Sequence, residues 1–294
     1  MTKCPDDTVA PMRLLVSVAA AAEVAAALEG GADLIDAKDP RRGPLGPVSI
    51  DALRRIHAAC ARARPVSAAL GDATSEAAIE DDARTFCAAG AAFVKIGFAD
   101  HACVKRVELL LAAAVRGARA ARNPEPTADA PLLVPAAGDE DPSATDRRRI
   151  GGVIAVAYAD ADRTTTIGFA DLIQVAARAG AAGVLLDTAD KRGPGLRALV
   201  APDALAAWIS RAHGEGLLVA IAGRLTADDL PFVRDAGADI AGVRGAACDD
   251  GRTGRVASAK VRTLRALCES DGRDRHDPAE GGHYGSRSPE GRVA

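Results

Sequence analysis

Aromatic residues are scarce in this chain, which has one Trp, two Tyr and five Phe among 294 residues. Ala, Val and Leu supply most of the apolar surface, so the core must consist of many small aliphatic contacts, as in layered helix and strand packing. Long apolar runs are also missing, because the longest windows, at 108–115 and 152–157, are shorter than the roughly 20 residues of a membrane span. Asp6 and Asp7 stand where a signal peptide has its apolar core. We therefore expect a cytoplasmic protein that does not contact a membrane.

An excess of one charge is absent as well. The net charge is -3 and Arg and Asp are interspersed, so the chain lacks the positive electrostatic field that binds a phosphate backbone. We therefore expect no nucleic-acid partner. The six cysteines include no C-x-x-C pair, which argues against a disulfide framework and a zinc ribbon. The histidines do not cluster at strand ends, so we expect no metal and disfavour a metal-dependent aldolase; they are His57, His101, His213, His276 and His283.

Eight short apolar runs recur along the chain, and each is followed by a polar or glycine-containing turn and an Ala/Leu-rich helical pattern. Continuous apolar character is typical of parallel strands that are covered on both faces. The predicted strands are Leu14–Val18, Leu34–Ala37, Val66–Ala69, Phe93–Ile96, Val153–Ala157, Val184–Leu186, Leu218–Ala222 and Ile240–Val243. The predicted helices are 20–29, 50–63, 76–89, 101–121, 168–179, 203–214, 227–236 and 257–268.

Eight βα units in this length predict an α/β fold, a single (β/α)8 TIM barrel over residues 12–269. A doubly wound open sheet is the alternative, because alternation alone does not show whether a sheet closes. Residues 123–149, rich in proline, are predicted to form a surface excursion between helix 4 and strand 5. Residues 270–294 have the composition of a disordered tail.

Lysine is rare, since only six of the 37 basic residues are lysines, and three of the six fall at predicted strand ends. Lys38 lies two residues after Asp36 on an extended chain, so both side chains are expected on one face. Lys95 lies in strand 4, and strand 6 runs into Asp187 and Lys191. Active sites of such barrels lie at the carboxyl ends of the strands, which makes these five residues the catalytic candidates. Surface salt bridges are the competing interpretation.

Clustered ammonium groups in a partly desolvated barrel mouth disfavour each other's charge, so one amine can become neutral and attack a carbonyl. The resulting imine is an electron sink that permits proton loss, carbon–carbon bond formation or expulsion of a leaving group. A Schiff-base enzyme is therefore the leading interpretation. The two aspartates can hold the lysines and move protons.

The ends of strands 7 and 8 carry Gly223, Arg244 and Gly245, at the two loops where barrels commonly bind phosphate. We therefore predict a phosphorylated small-molecule substrate, with Arg244 as a bidentate phosphate ligand; an ion pair between subunits is the alternative for Arg244. Asp160 follows strand 5 and either supports the active site or caps the next helix.

Six segments together carry a family resemblance that covers about residues 12–268: 14–17, 30–40, 94–97, 157–160, 186–191 and 239–248. They include the runs Ile35-Asp36-Ala37-Lys38-Asp39-Pro40 and Gly242-Val243-Arg244-Gly245. The chain thereby resembles the (5-formylfuran-3-yl)methyl phosphate synthases, also called 4-(hydroxymethyl)-2-furancarboxaldehyde-phosphate synthases, of methanofuran biosynthesis. One departure is Arg224, which stands where that family usually has a small hydroxyl residue.

The resemblance implies a carbon–oxygen lyase that joins two glyceraldehyde 3-phosphate molecules into a phosphorylated furan aldehyde, with loss of phosphate and water. It implies no cofactor and no metal. By the same resemblance, Lys38 is the Schiff-base lysine, Lys95 the proton acceptor, and the supporting residues are Asp36, Asp187 and Lys191. The arginine-rich composition favours a bacterium with a GC-rich genome, where the product would supply a methylofuran-type carrier in one-carbon metabolism.

Two other functions stay open. A class I aldolase or phosphosugar isomerase on a TIM barrel would use the same lysine and loops but release an open-chain sugar. A barrel that only binds a phosphometabolite would show no turnover, since one fold hosts many functions. Self-association as a homo-oligomer is also left open, because no interface can be read from the sequence.

Overall fold

A computed structural model describes residues 11–121, 152–160 and 165–269. Within these ranges, no helix is both long and apolar enough to cross a membrane. The predicted surface excursion at 123–149 and the predicted tail at 270–294 lie outside the described residues. The domain boundaries proposed from the sequence therefore stay predictions.

Eight parallel strands form a closed barrel in the order β1 to β8, and β1 pairs with β8 to complete the circle. This confirms the predicted (β/α)8 architecture and excludes the open sheet. The strands are β1 (Arg13–Val18), β2 (Leu34–Ala37), β3 (Val66–Asp72), β4 (Phe93–Gly97), β5 (Gly152–Tyr158), β6 (Gly183–Asp187), β7 (Leu218–Ile221) and β8 (Ile240–Val243).

Helices follow the strands around the outside of the barrel. They are α1 (Val24–Glu29), α2 (Ile50–Cys60), α3 (Glu76–Ala88), α4 (Val104–Ala120), α5 (Phe169–Ala179), α6 (Leu196–Leu199), α7 (Pro202–Gly214), α8 (Leu230–Asp235) and α9 (Ser258–Glu269). Short 3-10 helices at Ala21–Glu23 and Ala227–Asp229 lead into α1 and α8, and another lies at Gly245–Ala247.

The predicted helices differ from the observed ones mainly at their ends. α2 stops at Cys60, three residues early, because Ala61 and Arg62 have left-handed φ angles of 45° and 62°. α4 starts at Val104, since His101 forms an isolated bridge with Thr166 instead of a helical turn. The short helix α6 was not predicted, because four residues give no periodic pattern.

The core has two parts, which the strands separate. One cluster of small aliphatic side chains lies between the strands and the helices. The other fills the barrel interior, and its members include Leu15, Leu34, Phe93, Ile154 and Leu218. Interior packing of this kind closes the lower part of the barrel, so polar side chains near the strand ends face a cavity only at the mouth.

Candidate active site

The ammonium group of Lys95 lies 2.6 Å from the Oδ2 atom of Asp36, inside the barrel. Lys95 extends from β4 and Asp36 from β2, and their side chains are only 6% and 0% exposed. Beneath them a small apolar void of about 30 Å³ includes Leu34 and Phe93 in its lining. The Asp36–Lys95 pair is therefore shielded from water on the side that faces the apolar barrel interior.

Two serines complete the surroundings of the Asp36 carboxylate. Ser17 donates its hydroxyl to Oδ2 and Ser67 donates its hydroxyl to Oδ1, each at 2.8 Å. The strand register explains this convergence, because Ser17 of β1 and Ser67 of β3 are the Cα partners of Asp36 on its two sides. Sequence reasoning missed both serines, although a polar residue at the same level of three neighbouring apolar strands was a usable signal.

Burial and the opposite charge of the partner shift the pKa of each member of this pair in opposite directions. Burial alone would raise the pKa of Asp36, but Lys95, Lys38 and the hydrogen bonds lower it below the ordinary value. Burial lowers the pKa of Lys95, and the Asp36 carboxylate only partly compensates, while Lys38 lowers it further. Lys95 therefore gives up its proton more readily than a surface lysine, and its neutral amine can act as a base.

A second ion pair joins Asp187, the last residue of β6, to Lys191. The Lys191 Nζ atom lies 2.5 Å from Asp187 Oδ1 and 3.3 Å from the Thr188 hydroxyl. The Thr188 N–H donates to the same Oδ1 at 2.8 Å. Among the described residues, the buried Oδ2 of Asp187 has no hydrogen-bond partner. This oxygen can thus accept a proton or a hydrogen bond from a ligand.

The pKa directions of the second pair resemble those of the first. Burial would raise the pKa of Asp187, but Lys191 and Lys38 lower it. Burial lowers the pKa of Lys191, while Asp187 raises it and Lys38 lowers it again. Lys38 thus influences the pKa of both carboxylates and both amines, and it lines the same cavity as the two ion pairs.

Lys38 itself follows the end of β2 and is half-buried. Its backbone N–H donates to Val18 O at 3.0 Å, which extends the β1–β2 pairing by one residue. Within the described part of the chain its side chain makes no hydrogen bond or ion pair, in contrast to Lys95 and Lys191. The free amine of Lys38 lines a cavity of about 420 Å³ at the carboxyl ends of the strands.

The structure brings eight of the nine predicted site residues to this cavity: Asp36, Lys38, Lys95, Asp187, Lys191, Gly223, Arg244 and Gly245. Arg224 and Arg252 also line it, and the sequence provided no signal for Arg252 because it lies in a loop beyond the end of β8. The ninth residue, Asp160, lies just outside. The chemical roles of these residues stay predictions, whereas their common location is a finding.

Backbone geometry at β7 and β8 favours an anion. Gly223 has a φ of 104°, and Gly245 starts a 3-10 helix. Across the described residues, the backbone N–H groups of Gly223, Arg224, Gly245 and Ala246 take part in no internal hydrogen bond. All four residues line the cavity, where free backbone N–H groups can bind an anion.

Arg244 does not fit its predicted role as a bidentate phosphate ligand. Its guanidinium forms a double ion pair with Glu23, at 2.7 and 2.9 Å. Its other three N–H groups donate to the carbonyl oxygens of Ser17, Arg252 and Gly254. All five donors are thereby used inside the protein. The pairing residue lies 221 positions away in sequence, which a reading of local spacing could not find.

Asp160 supports the loop that follows β6. Its Oδ1 accepts from the Ala189 N–H at 2.7 Å and its Oδ2 accepts from the Asp190 N–H at 2.8 Å. The carboxylate therefore shapes the turn between Asp187 and Lys191. Of the two interpretations left open by the sequence, this geometry favours support of the site, through the backbone.

Metal binding has no visible basis in the described ranges, where no group of three or more His, Cys, Asp or Glu side chains is placed to hold an ion. The chemistry that the site offers is amine chemistry: one free lysine, two lysines paired with carboxylates, and backbone donors for an anion. A closed (β/α)8 barrel with these groups at the carboxyl ends of its strands has the general layout of a barrel enzyme.

The comparisons with known proteins identify the family. The chain matches the family described as 4-HFC-P synthase over residues 14–265. It is 32% identical to the (5-formylfuran-3-yl)methyl phosphate synthase of Methanopyrus kandleri over 255 residues, which are 86% of this chain and 97% of that protein. The protein of the same name from Methanocaldococcus jannaschii is 32% identical over 265 residues, 88% of this chain and 100% of that protein.

This chain belongs to the 4-HFC-P synthase family, which confirms the resemblance found in the sequence and supports a synthase role. Solved structures add only the fold at their low identities. A 3-hexulose-6-phosphate synthase covers 87% of this chain and 99% of its own, with a TM-score of 0.55 and 21% identity. A KGPDC of Streptococcus mutans in complex with D-R5P covers 87% and 97%, with a TM-score of 0.56 and 13% identity.

Proposed function

We propose that this protein is a Schiff-base lyase that condenses two glyceraldehyde 3-phosphate molecules into (5-formylfuran-3-yl)methyl phosphate, with loss of one phosphate and two water molecules. The observation that carries the proposal is the free Lys38 amine in a cavity between two carboxylate–lysine pairs. Family membership supports the product, because relatives that cover most of the chain are named for its synthesis.

The first step would be attack of the Lys38 amine on a triose phosphate aldehyde. The resulting carbinolamine loses water and becomes an iminium ion, which acidifies the neighbouring carbon. Lys95 in its neutral form is placed to take the proton, since burial lowers its pKa and the Asp36 carboxylate stabilises the ammonium group that forms. The resulting enamine would form the carbon–carbon bond to the second aldehyde.

Asp187 and Lys191 would serve the later eliminations. The unpaired Oδ2 of Asp187 can accept a proton, and the ammonium group of Lys191 can donate one to a departing oxygen. The free backbone N–H groups around Gly223 and Gly245 would hold a phosphate group of the substrate. The mechanism needs no cofactor. The product would enter methanofuran-type cofactor synthesis in the cytoplasm.

The test is reductive trapping. Incubation with glyceraldehyde 3-phosphate and borohydride should leave one reduced adduct on Lys38, located by peptide mass spectrometry. Lys38→Met should abolish both adduct and turnover, whereas Lys105→Met, a lysine on α4 away from the cavity, should keep both. An adduct on another lysine, or full turnover by Lys38→Met, would contradict the assignment.

Product mass separates the remaining functions. A furan aldehyde phosphate requires loss of one phosphate and two water molecules from two triose phosphates, whereas an aldolase or isomerase of the phosphosugar type releases an open-chain sugar phosphate. A barrel that only binds the metabolite gives neither product, although it still binds triose phosphate. Each of these outcomes would replace the proposed reaction.

A further inference from the structure

The loop after β8 places an arginine in the lining of the cavity. We define the β8 loop as residues 248–256, which are closed at their base by an antiparallel bridge between Cys248 and Val256. The Asp249 N–H donates to Arg255 O at 2.9 Å and the Gly254 N–H donates to Gly251 O at 3.0 Å. The loop is therefore internally bonded, and its tip carries Arg252.

Arg244 holds this loop in place. Its Nε donates to Arg252 O at 3.0 Å and its Nη2 donates to Gly254 O at 2.7 Å. The same guanidinium is paired with Glu23 and bonded to Ser17 O, so the loop is tied to the end of β1. Because these partners occupy all donors of the Arg244 side chain, it acts on the cavity through the backbone that it positions.

The Arg252 side chain has the opposite arrangement. It is half-buried, lines the cavity, and in the described part of the chain makes one hydrogen bond, from Nη2 to Gly43 O at 2.9 Å. Burial lowers its pKa, and the nearby Asp187 carboxylate raises it. Arg252 in turn lowers the pKa of Lys191, so the two cations face the same space. Most of the donors of its guanidinium remain available to a ligand.

We propose that Arg252 is the cationic phosphate-binding and specificity-determining residue of this cavity, and that Arg244 positions it. The substrate class, a triose phosphate, rests on the proposed function. A guanidinium can bond two phosphate oxygens at once, and the charge-assisted bonds are about twice as strong as neutral ones. Gly245 and Ala246, whose backbone N–H groups are free, follow β8 and line the same cavity as Arg252. These N–H groups and the Arg252 guanidinium can therefore bind one phosphate group together.

The bond to Gly43 adds a link between the two sides of the cavity mouth. Gly43 lies in the segment between Lys38 and α2, 209 positions from Arg252 in sequence. A phosphate group bound by Arg252 would therefore lie against the segment that begins with the candidate Schiff-base lysine. Arg252 and Lys38 line the same cavity, as a substrate that carries both a phosphate and an aldehyde group requires.

The chain offers a matched control in Arg255, which lies in the same loop, is exposed, and does not line this cavity. Binding of inorganic phosphate would be measured by titration calorimetry for the wild type, Arg252→Gln, Arg252→Lys and Arg255→Gln. Both Gln variants remove one positive charge, so any difference between them reports position and not net charge. Phosphate binding needs no turnover, so the result is independent of the proposed lyase reaction.

The Kd of phosphate should rise at least tenfold in Arg252→Gln and by less than twofold in Arg255→Gln. Arg252→Lys should fall between the wild type and Arg252→Gln, because lysine restores the charge without the planar fork. If Arg252→Gln does not fold, Arg252→Lys still tests the proposal, because it keeps the positive charge but lacks the guanidinium group. An unchanged Kd in both Arg252 variants, or equal losses in Arg252→Gln and Arg255→Gln, would overturn the proposal.

Where the enzyme is active, the same variants should give a matching kinetic result. The KM for glyceraldehyde 3-phosphate should rise at least tenfold in Arg252→Gln, while borohydride trapping at saturating substrate should still modify Lys38. Loss of trapping in the wild type would count against the proposed function alone. An unchanged KM in Arg252→Gln would count against Arg252 alone.

Discussion

Asp36 and Lys95 form an ion pair of 2.6 Å across the barrel interior, although their strands, β2 and β4, are not neighbours. The strand between them supplies Ser67, whose hydroxyl bonds the other oxygen of the same carboxylate. With Ser17 of β1, side chains from four consecutive strands meet at one buried carboxylate. This convergence fixes the position of the amine that we propose to move a proton.

Asp36→Asn should lower the free energy of unfolding by about 3 kcal/mol, because it leaves the buried Lys95 ammonium without a counter-charge. Urea unfolding measures this. The matched control is Asp51→Asn, which removes an exposed partner of Arg54 and should cost less than about 0.5 kcal/mol. Equal losses in the two variants would contradict a buried charged pair. Asp36→Asn should also reduce turnover strongly, since Lys95 would no longer be held.

Glu23→Gln should destabilise the protein by about 3 kcal/mol at pH 7, since it breaks the double ion pair with Arg244. Although burial raises the pKa of Glu23, hydrogen bonds from Arg244 and Ala19 lower it overall below 4.5. The stabilisation is therefore fully present above pH 4.5 and is lost as the pH falls through the lower, folded-state pKa.

The measurement for Glu23 is urea unfolding of both proteins at several pH values. The difference between wild type and Glu23→Gln should shrink only below pH 4.5. Glu29→Gln is the control, because Glu29 is 66% exposed and lies 3.6 Å from Arg262, so its effect should stay below about 0.5 kcal/mol. If the stability difference between the wild type and Glu23→Gln grew as the pH fell, the predicted pH dependence would be wrong.

Gly223→Ala should destabilise the protein by about 1–3 kcal/mol. Its φ of 104° disfavours any side chain, and a Cβ there would meet Leu196 Cβ and Thr188 Cγ2 at 3.1 Å. Phosphate affinity should fall as well, because the loop backbone must shift. Gly214→Ala is the contrasting variant, because its Cβ would meet nothing within 4 Å. Since Gly214 lies in α7, the higher helix propensity of alanine should raise the free energy of unfolding by at most about 1 kcal/mol. Thermal and urea unfolding measure the stability of both variants. Equal stability changes in Gly223→Ala and Gly214→Ala would contradict the prediction.

Asp160→Ala should loosen the turn that carries Lys191. Two backbone N–H groups, those of Ala189 and Asp190, lose their carboxylate acceptor, at a cost of about 2 kcal/mol or more. Hydrogen exchange at these two amides should become faster, and turnover should fall. Asp160→Asn keeps one carbonyl acceptor and should give an intermediate effect. Unchanged exchange in Asp160→Ala would show that the carboxylate does not hold the turn.

Much of the fold could be predicted from the sequence because its signals are local. Eight continuous apolar runs identify the strands, and each run must be buried on both faces. The ends of helices were less certain, as at Ala61 and Arg62, where left-handed backbone stops α2 without a glycine. The lysines could be found because a rare residue fell repeatedly at strand ends, where a barrel exposes reactive side chains.

The sequence by itself determined that eight βα units would form and that Lys38, Lys95 and Lys191 would lie near the carboxyl ends of their strands, whereas closure into a barrel was seen only in the structure. Only the tertiary structure decided how they pair, because strand register brings Asp36 to Lys95 while the turn after β6 brings Asp187 to Lys191, and Lys38 keeps a free amine. Closure of the barrel likewise joins Glu23 to Arg244 and turns the predicted phosphate ligand into a positioning residue. Such contacts depend on how distant segments meet in space, which the order of residues along the chain does not display.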